Sequence, residues 1–207
     1  MTFKDKAAAA VELVAALGEI ESSGRNLVTA LLGTAPFVEF EHYPPDDVRD
    51  PVTGAQYYFH AHRGRIESGH IHCFLRRKSK AGMTHVLAIG LDDHGRPCRM
   101  FTTNLWVTND DYVKAERLIT QLHRMAWRDA PGDAGINKAL GALFRLYRPQ
   151  IAALLRRRDR RLARHAARIA PLDPKTDERL EILSSMRIDL PATLARLRDR
   201  LEPMPGG

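Results

Sequence analysis

Apolar residues recur at helical spacing at both ends of the chain, whereas apolar and polar residues alternate between residues 37 and 104. Two opening stretches, 2–17 and 26–32, each place their apolar side chains along one side of a helix, with glycines as breakers at Gly18 and Gly24. The alternation that follows, rich in aromatic and β-branched residues, predicts β-strands. The predicted strands are FVEFEHY (37–43), QYYFHAHR (56–63), GHIHCFLR (69–76), THVLAIGL (84–91) and PCRMFTTN (97–104).

Segments with turn chemistry separate these strands, and helical spacing returns after them. Prolines, aspartates and Gly54 predict a loop at 44–54, and DDHG predicts a hairpin turn before the last strand. Asn109 or Asp110 is expected to cap a helix that ends near Trp127. Further helices are predicted at 136–147, 151–169, 177–186 and 192–201.

This order of elements indicates an α+β fold, because the helices and strands are segregated and do not alternate as βαβ units. We predict an antiparallel sheet of about five strands, flanked by N-terminal helices and a C-terminal helical segment. Residues 1–130 form the α+β domain. Residues 131–207 form the helical segment, which is expected to pack on that domain within one structural unit.

Two His-x-His pairs, His60 with His62 and His70 with His72, lie in the sequence FHAHRGRIESGHIHCF. Residues i and i+2 of a strand point to the same face, so each pair projects two imidazoles from one face. If the seven residues between the pairs connect two antiparallel strands, we expect His62 to pair with His70 and His60 to fall opposite His72. All four rings then leave the same face of the sheet.

Such a cluster suits a first-row transition metal, which binds imidazole nitrogens at about 2 Å. A metal also binds imidazoles in their neutral form. Without a metal, clustered histidines with a usual pKa of about 6.5 repel one another when they are protonated. Glu67 lies between the pairs and is either a ligand or the catalytic proton-transfer group. Cys73 points to the other face, so a thiolate site is not expected. The candidates are Fe(II), Mn(II), Zn(II) and copper, in a metal-binding protein or a metal-dependent enzyme of the oxygenase or hydrolase type. The competing interpretation is a polar sheet face whose histidines only form hydrogen bonds.

Two resemblances accompany this pattern. His60, His62 and Glu67 are similar to the first half of the cupin metal motif, HxHxxxxE, whose residues hold a metal inside a β-barrel. Phe74 replaces the glycine of that motif and the second cupin motif is absent, so the similarity is local. More widely, the chain resembles an uncharacterised bacterial family, a domain of unknown function, over roughly residues 25 to 130, and this implies no activity. The motifs that carry the second resemblance are EHYPPDDV (41–48), QYYFHAHR (56–63), ESGHIHCF (67–74) and NLWVT (104–108).

Several other residues are candidates for binding a small-molecule substrate. His42 precedes an aspartate-rich loop and is expected to complete the metal shell or line the entrance to the site. Arg63 and Arg65 flank the histidines and are suited to an anionic substrate. Asn104 ends the last predicted strand, where its amide is expected to line a cleft. The remaining histidines, at positions 85, 94, 123 and 165, are expected to be structural or exposed.

The net charge of +7 comes from one segment of the chain. Residues 145–168 contain nine arginines and one aspartate, giving +8, and leave the rest of the chain near −1. This supports an alternative function: a non-catalytic module whose arginine-rich helix binds nucleic acid or an acidic protein. Apolar residues on one side of the same helix also allow it to pack while its charges face water.

Composition limits the remaining possibilities. No run approaches the roughly 18 apolar residues that cross a bilayer, so no membrane span is predicted. Only two cysteines are present, which favours a reducing, cytoplasmic location. The patterns GxxxxGK[ST], GxGxxG, HExxH, GxSxG and CxxC are absent, which argues against the common nucleotide-binding, zincin, α/β-hydrolase and thioredoxin classes.

Overall fold

A six-stranded antiparallel sheet, with its strands in chain order, forms the centre of the fold. The computed structural model describes residues 2–62, 67–76 and 82–201. The strands are β1 (Tyr43–Arg49), β2 (Ala55–His60), β3 (Gly69–Arg76), β4 (Met83–Leu91), β5 (Pro97–Thr103) and β6 (Ile182–Arg187). The helices are α1 (Phe3–Ser22), α2 (Leu27–Leu32), α3 (Leu105–Thr108), α4 (Ala115–Ile119), α5 (Ala134–Leu146), α6 (Arg148–Ile169) and α7 (Leu190–Leu201), with 3₁₀ turns at Leu122–Arg124 and Pro174–Thr176. The α+β prediction is confirmed, with six strands where about five were expected.

Helices cover one face of this sheet and build the hydrophobic core against it. Side chains from β2 and β3, including Phe59 and Ile71, are fully buried in a cluster with Leu13 of α1 and with Leu140 and Phe144 of α5. Alternation along each strand sends the intervening residues to the opposite face, where the histidines lie. Within the described part of the chain, no helix is both long enough and apolar enough to cross a membrane.

The first helix is longer than its sequence pattern indicated. It begins with a capping box, in which Thr2 and Asp5 exchange side-chain to backbone hydrogen bonds, and it continues through Gly18 to Ser22. Gly18 is exposed, and an added Cβ there would meet nothing within 4 Å. An isolated glycine costs a helix only about 1 kcal/mol, so the packed face of α1 overrides it.

The first strand does not lie where the sequence pattern predicted it. FVEFEHY does not form a strand; β1 begins at Tyr43 and runs through the two prolines of the segment predicted as a loop. β1 is an edge strand that pairs only with β2, and its register is irregular between Tyr43 and Val48. Prolines are tolerated at such an edge, because one side of the strand has no ladder hydrogen bonds to lose.

Two helix predictions in the second half of the chain were also wrong. Where a helix was expected at 177–186, the chain forms β6, which pairs antiparallel with β5 and is the second edge strand of the sheet. The helix expected from Asn109 to Trp127 is divided into α4 and the 3₁₀ turn at Leu122–Arg124. β6 contacts both β5 and α6, and α4 contacts α6; these tertiary contacts override the local pattern.

Candidate metal centre

The face of the sheet opposite the helical core carries the histidine cluster. His60 of β2 pairs directly with His70 of β3, and His72 pairs with Tyr58. The predicted register, with His62 opposite His70, was therefore wrong by two residues. A slip of two preserves the face of every side chain, whereas a slip of one would have reversed it.

Three imidazoles of this cluster converge. His60 Nε2 lies 2.8 Å from His70 Nε2 and 3.2 Å from His72 Nε2. The ligand nitrogens of all three residues lie within 4.8 Å of one another. In a tetrahedral site with metal–nitrogen bonds of about 2.0–2.1 Å, such nitrogens lie about 3.3 Å apart. The three rings, called the histidine triad below, therefore have the spacing of metal ligands.

Burial distinguishes the members of the triad. His70 and His72 are each 1% exposed, whereas His60 retains partial exposure. Desolvation by burial holds the pKa of His72 well below its usual range, and neighbouring histidines, His85 first among them, lower it further. His72 is therefore a neutral imidazole at physiological pH, which is the form that binds a metal.

Glu67 approaches His70 on the side away from the triad. Its Oε1 lies 2.8 Å from His70 Nδ1, and both side chains are almost fully buried. The contact is short, although its alignment is not that of a linear hydrogen bond. An ionised carboxylate only accepts, so this contact favours a hydrogen on His70 Nδ1 and a lone pair on Nε2, facing His60.

The Glu67 carboxylate occupies the space left by a glycine on the neighbouring strand. Gly90 of β4 pairs with His70, and a Cβ built on Gly90 would lie 2.0 Å from Glu67 Oε2. Any side chain at this position must therefore displace the carboxylate. No sequence motif marked Gly90, because its importance arises only from the cross-strand register.

Gly90→Ala tests this packing. We expect it to lower the free energy of unfolding by about 1–3 kcal/mol, because the new methyl group overpacks the space that Glu67 occupies. Gly18→Ala is the control, since its Cβ meets nothing and alanine is favoured in an exposed helix by about 0.5–1 kcal/mol. Urea denaturation measures both. Equal stability of Gly90→Ala and the unsubstituted protein would contradict this position of Glu67.

His72 contacts two further side chains in series, which fix the orientation of its ring. Its Nδ1 lies 3.0 Å from His85 Nε2, and His85 Nδ1 lies 3.2 Å from Thr103 Oγ1. If His85 donates to the threonine, its Nε2 accepts from His72 Nδ1, which leaves a lone pair on His72 Nε2. Desolvation, together with the charge of Arg158, lowers the pKa of His85 to about 3, so His85 is also neutral.

His85 was expected to be structural or exposed; it is buried and contacts a member of the triad. Along a regular strand it would share the core face with Leu87. A bulge removes Val86 from the β3–β4 register, so that Phe74 pairs with His85 and Cys73 with Leu87. The bulge thereby turns His85 onto the histidine face. No signal in the local sequence marked this irregularity.

Aromatic rings border the partly exposed side of the triad. The centroid of His62 lies 5.0 Å from that of His60, and the Phe40 ring stacks on His62 at 5.1 Å. His42 stacks on Tyr58 with centroids 3.5 Å apart and lies nearly perpendicular to His60, with centroids 5.9 Å apart. We call Phe40, His42, Tyr58 and His62 the aromatic rim. His62 lies outside the group of converging nitrogens, although all four histidines were predicted to bind metal.

The remaining sequence candidates have different surroundings. Cys73 is buried in the core on the opposite face, as expected. Asn104 is fully buried at the N-terminus of α3, where its side chain caps Leu105 and donates to the Pro174 carbonyl. These contacts account for its amide, and we leave Asn104 out of the proposed site. Arg63 and Arg65, predicted to bind an anionic substrate, lie outside the described residues.

The arginine-rich segment begins at the end of α5 and continues through most of α6, and its arginines have different environments. Arg158 is buried, donating to Asp159 and to the Val113 carbonyl, and Arg156 pairs with Glu116. The exposed remainder comprises Arg157, Arg160, Arg161, Arg164 and Arg168. Part of the charge thus stabilises the fold. Binding of nucleic acid or an acidic protein through the exposed part stays a prediction.

Comparison with known proteins identifies a family for the chain. The family model described as Domain of unknown function (DUF6969) matches residues 7–188, which confirms the predicted kind of family. Neither a curated protein nor a solved structure was found to match the chain.

Proposed function

We propose that this chain, which belongs to the DUF6969 family, binds one divalent transition-metal ion through the histidine triad. The observation that carries the proposal is the convergence of the Nε2 atoms of His60, His70 and His72 at 2.8 and 3.2 Å. The contacts of Glu67 and of His85 direct lone pairs from His70 and His72 toward His60. A single hydrogen on His60 Nε2 can satisfy only one of them, whereas a metal ion satisfies all three nitrogens.

The contacts around the triad have the pattern of a metal site. Ligating histidines usually donate a hydrogen bond from the N–H of their second ring nitrogen to a carboxylate or another acceptor, which fixes the ring orientation and the tautomer. An acceptor atom lies next to the second ring nitrogen of two triad members: Glu67 Oε1 is 2.8 Å from His70 Nδ1, and His85 Nε2 is 3.0 Å from His72 Nδ1. Glu67 is therefore proposed as a positioning residue that orients the His70 ring, in place of the ligand or proton-transfer role expected from sequence.

The donor set narrows the choice of metal. Three neutral imidazoles without a carboxylate ligand suit Zn²⁺ and Cu²⁺ better than Mn²⁺, which prefers oxygen ligands. Fe²⁺ remains compatible with imidazole ligands. Three protein ligands also leave a coordination position open, as catalytic zinc sites do and closed structural sites do not. We therefore favour a metal-dependent enzyme of the hydrolase or oxygenase type.

The metal would supply Lewis acidity at its open position or, with a redox-active ion, electron transfer. The protein residues have separate tasks. His70 and His72 are held in place because they are buried and because Glu67 and His85 contact their Nδ1 atoms. His60 faces the aromatic rim. The aromatic residues around His60 restrict access of water and select what approaches the site.

Metal content of the tag-free protein tests the proposal directly. The protein is reconstituted separately with Zn²⁺, Cu²⁺, Fe²⁺ and Mn²⁺, desalted, and analysed by elemental mass spectrometry. We expect one equivalent of Zn²⁺ or Cu²⁺ per chain and weaker retention of Mn²⁺. Retention well below one equivalent with every metal would refute metal binding by the triad.

Glu67→Gln tests the positioning role of the carboxylate. Glutamine is nearly isosteric but its amide oxygen is a weaker hydrogen-bond acceptor than a carboxylate, so His70 is oriented less firmly and becomes a weaker ligand. We expect the affinity for Zn²⁺ to fall by about 10–100-fold, the usual effect of losing an outer partner of a ligand. Competition with a chromophoric chelator measures this change. If the absorption spectrum of the Co²⁺-loaded Glu67→Gln variant shows that one ligand is lost, Glu67 is a direct ligand and the positioning role is wrong.

A further inference from the structure

The aromatic rim borders the side from which a substrate reaches the triad. His70 and His72 are each 1% exposed, so a molecule approaches the converging nitrogens over His60. The rings of Tyr58, His42 and His62 lie around His60, with centroids 5.5, 5.9 and 5.0 Å from its own. Each of the three ring planes is nearly perpendicular to that of His60, and together the three rings form the border of this approach.

Phe40 extends the rim into solvent in a conformation that does not favour stability. Its φ is +67°, a left-handed conformation that is rare for a bulky side chain, and the residue is 65% exposed. The ring is nonetheless held nearly parallel to His62, with 15° between the planes, while the backbone N–H of Phe40 donates to the Ala61 carbonyl. Glycine or asparagine would adopt this backbone more readily and expose less apolar surface.

Apolar exposure is concentrated next to this ring. Phe37 and Val38 are 51% and 50% exposed, so the segment preceding His42 presents three large apolar side chains within four residues. A strained backbone and an exposed apolar group at one position are characteristic of ligand-binding segments. The features of Phe40 that do not help folding are explained if a flat apolar ligand covers its ring.

We infer that the aromatic rim binds a neutral planar aromatic molecule, or the aromatic part of a larger one, and thereby sets the substrate class of the site. Phe40 stacks with the ligand, and the ring edges of His42 and His62 direct it toward His60. Offset stacking between aromatic rings contributes more than area burial alone, which favours a planar ligand over an aliphatic one. This inference rests on the proposed metal site for its catalytic meaning, but binding to the rim itself needs no metal.

The first experiment uses metal-free full-length protein and the neutral fluorescent probe N-phenyl-1-naphthylamine. We expect Phe40→Gly and Phe40→Leu each to weaken probe binding by about three- to tenfold, the range corresponding to one lost aromatic stack. Leu172→Ala is the matched control, because Leu172 is also 65% exposed but lies outside the rim. Unchanged affinity in Phe40→Gly, or no probe binding at all, overturns the inference.

Stability separates a binding role from a structural one. Because glycine relieves the left-handed backbone, we expect Phe40→Gly to unfold at a temperature no lower than that of the unsubstituted protein, while losing probe affinity. A structural role predicts the reverse: a lower unfolding temperature with unchanged affinity for the probe. Competition by benzyl alcohol and by cyclohexylmethanol, which differ in planarity, tests the ligand class. Equal displacement by the two alcohols contradicts a preference for planar ligands.

A last measurement locates the ligand relative to the triad. In the Co²⁺-loaded protein, we expect the ring protons of benzyl alcohol to show paramagnetic relaxation that Phe40→Gly reduces at least threefold. If Co²⁺ binds but does not relax the ring protons of benzyl alcohol, the ligand does not lie near the metal. The inference about the rim is then wrong, whereas the proposed metal binding still holds. If Co²⁺ does not bind, the proposed function fails, and the results with metal-free protein decide the inference independently.

Discussion

Replacing His60 with alanine is expected to lower the affinity for Zn²⁺ by more than about 100-fold, beyond the usual effect of losing an outer partner. His60 Nε2 contacts the Nε2 atoms of both other triad members, so its removal leaves two ligands. Because His60 is partly exposed, alanine should be tolerated by the fold better there than at the buried triad positions. Isothermal titration calorimetry, with competition by a chelator of known affinity, measures the change.

His62→Ala is the matched control for this experiment. His62 projects from the same hairpin toward the same cluster, but its nitrogens lie outside the converging group. We expect its loss to change the Zn²⁺ affinity by less than about tenfold, less than the loss of any triad member. Equal losses in the two variants would establish a four-histidine site, as the sequence predicted. Unchanged affinity in His60→Ala would exclude the triad as the binding site.

Metal binding is expected to stabilise the folded protein strongly. The triad combines residues from β2 and β3, so the unfolded chain does not hold its nitrogens together. Free Zn²⁺ at about 1,000 times its dissociation constant should add about 4.1 kcal/mol to the free energy of unfolding. For a chain of this length, that corresponds to a rise of about 8–16 °C in the unfolding midpoint. Calorimetry with and without Zn²⁺ measures the shift.

Removal of the metal should reverse this effect. A chelator added in excess is expected to return the midpoint to that of the metal-free protein. The His60→Ala variant should show little shift at the same Zn²⁺ concentration, because it retains only two of the three ligands. A shift of the same size in that variant would mean that the metal stabilises the fold from another site.

The histidine face could be predicted because strand periodicity is a local property. His70 and His72 share a face with each other, and Cys73 takes the opposite one, whatever the neighbouring strands do. The short connection between the two His-x-His pairs predicted that the strand of His60 lies next to the strand of His70 and His72. The exact partner of each histidine could not be predicted, because the register depends on pairing across the whole hairpin.

Local pattern was least informative at the edges of the sheet. β1 contains Pro44 and Pro45, which locally indicate a loop, and β6 occupies a segment whose sequence pattern indicated a helix. In both places, pairing with one neighbouring strand decides the structure. Such pairing energy comes from residues far apart in the chain and leaves no periodic signal in the segment itself.

The sequence by itself determined the α+β class, the central strands β2 to β5 and the histidine-bearing face, because these follow from hydrophobic periodicity within single elements. Only the tertiary structure decided which imidazoles converge and what supports them. Glu67 fits over Gly90 because β3 and β4 are aligned in one register, and His85 reaches His72 because a bulge at Val86 turns its side chain. Both contacts depend on long-range strand alignment, which local sequence patterns do not encode.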